Sequence, residues 1–390
     1  MRFPEFEGEW KWHKLGNVAN ISKGFGISKD QISEKGQSCI LYGELYTKYK
    51  SEVIQTVLSR TDINFPNLVK SKANDVIIPS SGETAIDIAT ARCVPFSDVL
   101  LGGDLNIIRL KNDNGSFLSY QLNSVRKQDI AKVAQGISVI HLYGDSLKKM
   151  KVSICSYEEQ QKIANFLSLI DERIATQIKI IEDLKLLKST ISNRLQQSDL
   201  LDINIRLSEI GQLKNGYAFR SNTYEEDGKF RILTIANVKG ERYVDSDSCC
   251  FISELPQDIQ AHQVLKPNDI LISLTGNVGR VSLCKDGAYL LNQRVGLFDL
   301  KQTIAQEYVY QVLSSKRFEQ AMTFCGQGAA QMNIGKSDVE NYSIPYSYSP
   351  EVLENIANTL KAFDDKIDLE SRLLQQLNSQ KKYFLLKIFI

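Results

Sequence analysis

The 390-residue sequence lacks the features that mark membrane and secreted proteins. No stretch approaches the ~18 consecutive apolar residues that a membrane-spanning helix needs. Residues 1–10 hold no apolar run flanked by basic residues, so no signal peptide is predicted. The seven cysteines are odd in number and never spaced Cys-x-x-Cys, which disfavours a disulfide framework or a zinc site. These absences predict a cytoplasmic protein with reduced cysteines.

Motifs of the common catalytic classes are also missing. The sequence has no Asn-Pro-Pro-aromatic motif of amino-methyltransferases, no Gly-x-Gly-x-x-Gly and no Walker A loop. With three histidines in all, a Ser-His-Asp arrangement has no support. We therefore expect no catalytic site, no metal and no cofactor in this chain.

The chain has little net positive charge for a protein that would bind DNA without a partner. The chain has 47 basic and 46 acidic residues, and residues 1–150 have 19 against 16 while residues 202–346 have 15 against 17. Proteins that bind DNA by neutralising phosphates are usually more basic. If this chain reads DNA, another subunit is expected to supply much of the phosphate contact.

The sequence is one unit written twice. Asn74–Ile78 (NDVII) returns as Asn268–Ile272 (NDILI), and Ile163–Leu167 (IANFL) returns as Ile356–Leu360 (IANTL). The shift between copies stays near 193 positions, and the order of the matches holds along the chain. Internal repetition on this scale predicts two copies of one fold.

Each half begins with a mixed segment and ends in a long helix. Short apolar runs bounded by Gly, Asn, Asp and Pro predict strands, with helical patches between them. Ser156 with Glu159 forms a predicted capping box, and Pro350 suits the first position of a helix. The predicted fold class is α+β, with a first domain at 1–152, a first helix at 156–199, a second domain at 202–346 and a second helix at 349–390.

Both helices carry an apolar ladder with 4-3 spacing. The ladder is interrupted at the same two rungs in each copy, by Gln177 and Lys188 in the first and by Glu370 and Lys381 in the second. A period of 3.5 residues over about five heptads is typical of a coiled-coil seam. We expect the two helices to pair as an antiparallel coiled coil between the domains, with a pseudo-two-fold relation. The alternative is that each helix packs on its own domain.

Two similar domains held at a fixed separation suit duplex DNA. Sites one helical turn apart, ~34 Å, present the same groove on the same face of the duplex. The domains share a framework and differ in their polar loops, so they should read two different short sequences. The length of the helices would then set the unread gap.

Several segments resemble the specificity subunit of type I restriction–modification systems. They are Phe3–Trp10 (FPEFEGEW), Leu142–Val152 (LYGDSLKKMKV), Glu158–Leu167 (EEQQKIANFL), Asp171–Ile174 (DERI) and Ser379–Ile390 (SQKKYFLLKIFI). The resemblance runs along the whole chain, and it implies that the two domains are target-recognition domains. The copy of the central region at Ser349–Asn355 lacks the Glu-Gln-Gln run.

The resemblance also implies partners and the place of the cofactors. Two methyltransferase (M) subunits would flank this chain, and restriction (R) subunits would join to cleave double-stranded DNA. S-adenosylmethionine, ATP and Mg²⁺ would belong to those partner subunits.

Candidate DNA contacts are polar residues in segments where the two copies differ. Reading bases needs Arg, Asn, Gln, Ser or Thr in a groove, while Lys and Arg hold phosphates. The candidates in the first domain are Tyr46, Thr47, Lys48, Tyr49, Ser80, Ser81, Gln135, Ser138 and His141. Those in the second domain are Asn237, Lys239, Asn277, Arg280, Asn292, Gln293, Arg294, Gln327 and Gln331.

Candidate partner contacts are residues that the helical pattern turns outward, together with the apolar end of the chain. They are Gln160, Gln161, Asp171, Glu172, Arg173, Lys366, Phe389 and Ile390. The apolar end exceeds what one seam requires, so we expect a partner to bury it.

Three hypotheses follow from the sequence. The first is a non-catalytic specificity subunit that reads a bipartite DNA target. The second is a coiled-coil scaffold that joins other proteins without reading DNA, which the near-neutral charge favours and the divergent polar loops do not. The third is a self-contained nuclease or methyltransferase, which the missing motifs oppose.

Overall fold

The computed structural model describes residues 2–301, 304–327 and 332–389. The chain divides into two compact units, the first formed by Met1–Ile178 with Arg372–Ile390 and the second by Lys179–Ser371. Two of the candidate residues, Gln331 and Ile390, lie outside the described residues. Among those that are described, no helix is both long enough and apolar enough to cross a membrane.

The first unit contains a mixed domain followed by a long helix. Its strands are β1 (Lys11–Lys14), β2 (Ala19–Lys23), β3 (Gln37–Ile40), β4 (Ser59–Thr61), β5 (Asp75–Pro79), β6 (Ser81–Gly82), β7 (Arg92–Val94), β8 (Leu100–Leu101), β9 (Leu105–Leu110), β10 (Ile140–His141) and β11 (Lys151–Ile154). Its helices are α1 (Leu15–Val18), α2 (Glu44–Thr47), α3 (Ala85–Ile88), α4 (Gly115–Asn123), α5 (Lys127–Val133), α6 (Gly144–Lys149) and the first part of α7 (Tyr157–Leu195).

The second unit repeats this plan. Its strands are β12 (Ile203–Arg206), β13 (Gly211–Asn215), β14 (Phe230–Leu233), β15 (Cys250–Ile252), β16 (Ile270–Ser273), β17 (Val281–Leu283), β18 (Tyr289–Leu291), β19 (Val295–Leu300) and β20 (Ser343–Tyr346). Its helices are α8 (Leu207–Ile210), α9 (Gln306–Leu313), α10 (Lys316–Cys325), α11 (Lys336–Glu340) and the first part of α12 (Pro350–Phe389), and it also takes in the end of α7.

The sheets of the two units have the same topology. A four-stranded antiparallel sheet has the order β2-β9-β5-β7 in the first unit and β13-β19-β16-β17 in the second. A three-stranded sheet has the order β4-β3-β8 in one and β15-β14-β18 in the other, and β1-β11 corresponds to β12-β20. The central strands β5 and β16 contain the apolar residues of the NDVII and NDILI segments, and every residue of both strands is buried. The predicted repetition of one α+β fold is confirmed.

The long helices begin where the sequence predicts. Ser156 accepts the backbone amide of Glu159 at 3.3 Å, and Pro350 is the first residue of α12. The second half of the predicted capping box is wrong, because the Glu159 carboxylate pairs with Arg2 and Trp10 instead of its own helix end. Each helix is continuous over about forty residues.

Segments of both helices pack together inside each unit. In the first unit Phe166 of α7 stacks edge-on against Phe384 of α12, with ring centroids 5.1 Å apart. Further along α7, Asp171 pairs with Lys381, which comes earlier in α12. The two segments therefore run antiparallel, which confirms the predicted direction of their pairing within this unit. In the second unit Lys188 of α7 pairs with Asp364 of α12.

The helix ladders also complete the cores of the domains. Ile163 and Leu167 of α7 belong to the same buried cluster as Val76, Ile108 and Phe117 of the first domain. In the second unit the corresponding rungs of α12, Ile356 and Leu360, join the core of the second domain. Pairing between helices and packing on a domain are therefore not alternatives, because one wide apolar face does both.

Candidate nucleic-acid interface

Helix α2 presents two of the first domain's candidates to solvent. Thr47 and Lys48 are exposed, while Tyr46 is half-buried and Tyr49 is buried. The Lys48 ammonium donates to Glu44 at 2.6 Å, so part of its charge is already paired. Burial and then the nearby Tyr42, Asp87 and Glu83 raise the pKa of Tyr46, which keeps that hydroxyl neutral and able to donate a hydrogen bond.

The prediction that Tyr49, Ser80 and Ser81 contact DNA is contradicted by their burial. The Tyr49 hydroxyl accepts the amide of Leu58, and its side chain lies in the core under the three-stranded sheet. Ser80 and Ser81 are 4% and 7% exposed, and their backbones pair with Asp104, Leu142 and His141. These residues hold the framework beneath the candidate surface.

A hairpin at residues 135–141 projects from the first domain. Gln135, Ser138 and His141 are all exposed, and the first and last of them pair through two backbone hydrogen bonds of 2.9 and 2.7 Å. Its strand β10 pairs with β6, which ends next to α3. Gln135, Ser138 and His141 therefore lie together on one projecting hairpin.

The second domain brings Lys239 and Arg280 to one polar hollow. The hollow has a volume of about 220 Å³, and its lining also includes Ser314, Ser315 and Glu319. The Lys239 ammonium lies 2.5 Å from Asp245, which raises the pKa of Lys239, and Arg280 lies 3.5 Å from Glu319. Both cations are thus partly neutralised. Asn277 lies nearby in the turn after β16 and is exposed.

The segment Asn292–Arg294 divides into a structural and an exposed part. Asn292 is 8% exposed and its side-chain oxygen accepts the backbone amide of Arg294. The side chains of Gln293 and Arg294 are exposed, as is Gln327 after α10. The prediction that the Asn292 side chain contacts DNA is therefore wrong, because this side chain stabilises the turn that exposes Gln293 and Arg294.

Asn237 is another candidate of the second domain that the structure corrects. Its side chain is fully buried, accepts the amide and hydroxyl of Thr234, and donates to the backbone carbonyl of Asp245 at 2.9 Å. These bonds close the loop between β14 and β15. A side chain that satisfies its own loop has no free group for a base edge.

Asp171 and Lys381 anchor the first domain to its helices. The Lys381 ammonium lies 2.5 Å from both Asp171 and Glu52, and the other oxygen of Asp171 accepts the hydroxyls of Tyr120 and Ser51. Burial lowers the pKa of Lys381, but the two carboxylates outweigh burial and raise it overall. The prediction that Asp171 faces a partner is wrong, since the residue is 6% exposed and fully bonded.

The second domain has an equivalent anchor built around Asp364. Its carboxylate pairs with Lys188 at 2.6 Å and with Arg242 at 3.1 Å, and it accepts the Gln311 amide at 2.7 Å. Arg242 also pairs with Glu307 at 2.7 Å. Sequence reasoning missed both anchors, although the lysine interruptions in the ladders were their signal.

Two other partner candidates are buried within the chain. Gln160 is 1% exposed and bonds to Asn114, Asp113 and the carbonyl of Cys155. Phe389 is 2% exposed and packs against the rings of Trp10 and Phe117. The expectation that a partner buries the apolar end is wrong for Phe389, because the first domain buries it. The candidates that do face solvent are Gln161, Glu172, Arg173 and Lys366.

The described surface offers hydrogen-bond donors and acceptors. Across residues 2–301, 304–327 and 332–389, no group of three or more His, Cys, Asp or Glu side chains is placed to hold a metal ion. The exposed candidates are amides, hydroxyls, a histidine and partly paired cations. Such a surface can recognise a ligand by hydrogen bonds.

Fold and surface together define a duplicated recognition protein with two α+β domains anchored on long helices. The family model described as Type I restriction modification DNA specificity domain matches residues 7–186 and 203–379. The chain therefore belongs to the type I restriction–modification DNA specificity family and is a specificity subunit, a role without catalysis of its own.

Relatives and solved structures are similar along most of the chain. The Type I restriction enzyme MjaVIII specificity subunit of Methanocaldococcus jannaschii is 23% identical, over 98% of this chain and 92% of that protein. The putative MjaX specificity subunit of the same organism is 25% identical, over 73% of this chain and 70% of that protein. The crystal structure of the type I S subunit from M. genitalium has a TM-score of 0.65 at 19% identity, covering 98% and 96%. A structure from work on assembly and conformational transition of the type I restriction–modification system has a TM-score of 0.58 at 17% identity, covering 97% of each chain.

Proposed function

We propose that this chain reads an asymmetric, two-part sequence in double-stranded DNA and directs methyltransferase and restriction subunits to it. The observation that supports this most is the duplication of one sheet topology with different exposed side chains on each copy. A shared framework places equivalent loops at equivalent positions, and their side chains differ: Gln293 and Arg294 directly precede β19, where the first copy has Gly103 and Asp104 before β9. Different groups at equivalent places read different bases.

The near-neutral charge supports a division of labour between subunits. Lys48, Lys239 and Arg280 are each already close to a carboxylate, so the positive charge of these three candidates is only partly available for phosphates. Phosphate contacts supply much of the affinity of DNA-binding proteins, whereas base contacts supply specificity. In this proposal the partner subunits provide much of the phosphate contact and this chain provides the base contacts.

The assembly we propose contains two methyltransferase subunits and restriction subunits, and it works on DNA in the cytoplasm. S-adenosylmethionine, ATP and Mg²⁺ would bind the partner subunits, where the chemistry occurs. Gln161, Glu172 and Arg173 are exposed on α7, Lys366 is exposed on α12, and these four are the partner candidates that remain from the sequence-based set. Family membership gives the scaffold alternative no support.

Methylation-sensitive sequencing of host DNA tests the proposal. With the gene and its partner genes present, we expect one split sequence to be methylated, and deletion of this gene alone should abolish that methylation. Exchange of residues 15–150 for the same region of another family member should change one half of the sequence and leave the other half intact. Methylation that persists without the gene, or a change in both halves, would contradict the proposal.

A further inference from the structure

The 135–141 hairpin carries an apolar side chain that its own domain does not bury. Ile137 is 100% exposed and Val139 is 50% exposed. Both follow Gly136, whose φ of +137° is a conformation that side chains with a Cβ rarely adopt. A Cβ at this position would lie 2.0 Å from the carbonyl oxygen of Val139, so the turn requires glycine. The backbone is thus built to hold Ile137 out in solvent.

The base of the hairpin is firmly fixed. Besides the two hydrogen bonds between Gln135 and His141, Ile140 pairs with Gly82 of β6. Leu142, the next residue, is 1% exposed and its amide donates to the Ser80 carbonyl at 2.9 Å. Because its base is fixed and its tip is apolar and exposed, the hairpin suits contact with a ligand of defined shape better than a freely moving loop would.

The sequence on both sides of the hairpin is basic although the whole chain is nearly neutral. Between residues 126 and 151 there are six basic residues against two acidic ones, and the hairpin itself has no acidic residue. The exposed lysines in this stretch are Lys132, Lys148, Lys149 and Lys151. Lys148 is paired with Asp145, and the positive charge of the other three lysines attracts a polyanion such as DNA.

We propose that Ile137 contacts the 5-methyl group of one thymine in the major groove and makes the first domain specific for an A·T pair at that position. The major groove admits a two-stranded β-ribbon, and thymine presents there a methyl group that suits an apolar side chain. Ser138 and His141 lie on the same hairpin and supply hydrogen bonds to neighbouring base edges. This inference rests on the proposed function, because it names a base contact within the sequence that the first domain reads.

A double-mutant cycle between the protein and the DNA tests the contact. The protein is the complex of this chain with its methyltransferase subunits, either unchanged or with Ile137→Ala. The DNA is the split sequence identified by methylation sequencing, with each thymine replaced in turn by uracil, which lacks only the methyl group. At one thymine the unchanged complex should lose about fourfold in affinity, the ratio expected for one buried methyl group. The Ile137→Ala complex should bind the thymine and uracil duplexes equally.

Leu58→Ala provides the matched control, since Leu58 is 56% exposed in the same unit and lies outside the hairpin. Its complex should lose the same fourfold as the unchanged complex at that thymine. The proposal is overturned if no thymine responds, if the half-sequence of the first domain contains no A·T pair, or if Ile137→Ala weakens all duplexes alike. The proposed function fails separately, at the earlier step in which no split sequence depends on this gene. Melting temperatures of both variants should match that of the unchanged chain, because both side chains are exposed.

Discussion

Lys381 and Asp171 form an ion pair of 2.5 Å inside the first unit, and their repeat equivalents Lys188 and Asp364 form the same pair at 2.6 Å inside the second. In both cases the two partners come from different helices. Each helix therefore supplies an aspartate to one unit and a lysine to the other. In the sequence, this reciprocal arrangement appears as a lysine that interrupts the apolar ladder of each helix.

The two domains contact these ion pairs through residues of opposite charge. Glu52 of the first domain contacts Lys381, whereas Arg242 of the second domain contacts Asp364. The two residues occupy equivalent places, because each precedes a residue that bridges to the equivalent strand β7 or β17. Because a lysine–aspartate pair contains one group of each charge, it can bind an acidic residue of one domain and a basic residue of the other. The same pair therefore anchors two domains that have diverged.

Replacing Lys381 by methionine tests the first anchor. The change leaves the carboxylates of Glu52 and Asp171 buried without their cation, and we expect a loss of about 3–5 kcal/mol in the free energy of unfolding of the first unit. Urea denaturation monitored by circular dichroism measures this loss. Lys382→Met, at the exposed next position, should change stability by no more than about 0.5 kcal/mol. Equal effects of the two changes would show that Lys381 is not an anchor.

Gln160 and Gln161 are neighbours with different environments, which makes them a matched pair. Gln160→Ala removes three hydrogen bonds in a buried place and should cost about 1–3 kcal/mol of stability. Gln161→Ala should leave stability unchanged because its side chain is exposed. Thermal unfolding of the two variants distinguishes them, and a stable Gln160→Ala chain would argue against the buried position.

Buried thiols make stability sensitive to alkaline pH. Burial raises the pKa of the Cys39 and Cys93 thiols to about 11. In the unfolded chain a thiol ionises near pH 8.5. Their contribution is therefore fully present below about pH 8.5 and is lost as pH rises toward 11, by about 1–1.5 kcal/mol per thiol at pH 9.5.

Urea denaturation at pH 7.5 and pH 9.5 measures this loss. The double variant Cys39→Ala and Cys93→Ala should lose about 2–3 kcal/mol less between these two pH values than the unchanged chain. Cys325→Ala should keep the full pH dependence, since Cys325 is exposed. If the double variant showed an unchanged slope, the thiols would not be the source of the pH dependence.

Arg294 is the exposed cation that we expect to read a base in the second domain. In the complex with its methyltransferase subunits, Arg294→Ala should weaken binding to the split sequence by about tenfold and relax the choice of base at one position of one half. Arg317→Ala, an exposed arginine on α10 of the same domain, should not relax any position. Binding that weakens uniformly on all sequences, with a reduced salt dependence, would mean that Arg294 contacts phosphate instead.

The repeat, the two long helices and the family resemblance were predictable because each depends on local order in the sequence. A 4-3 spacing of apolar residues determines a helix face, and a shift near 193 positions requires two copies of one fold. The strands β5 and β16 were predictable for the same reason, as short apolar runs after Asn-Asp.

Only the tertiary structure decided which polar residues are free to bind. Asn237, Asn292 and Gln160 have the composition of recognition residues, yet each satisfies backbone or side-chain groups of its own unit. The sequence predicts that a partner buries Phe389, but the first domain buries it against Trp10. Burial depends on how separate segments pack and on loop conformation, as when Phe389 packs on Trp10, so the sequence pattern does not report it. The sequence by itself therefore determined what kind of protein this is, and long-range packing determined which of its side chains remain available for DNA.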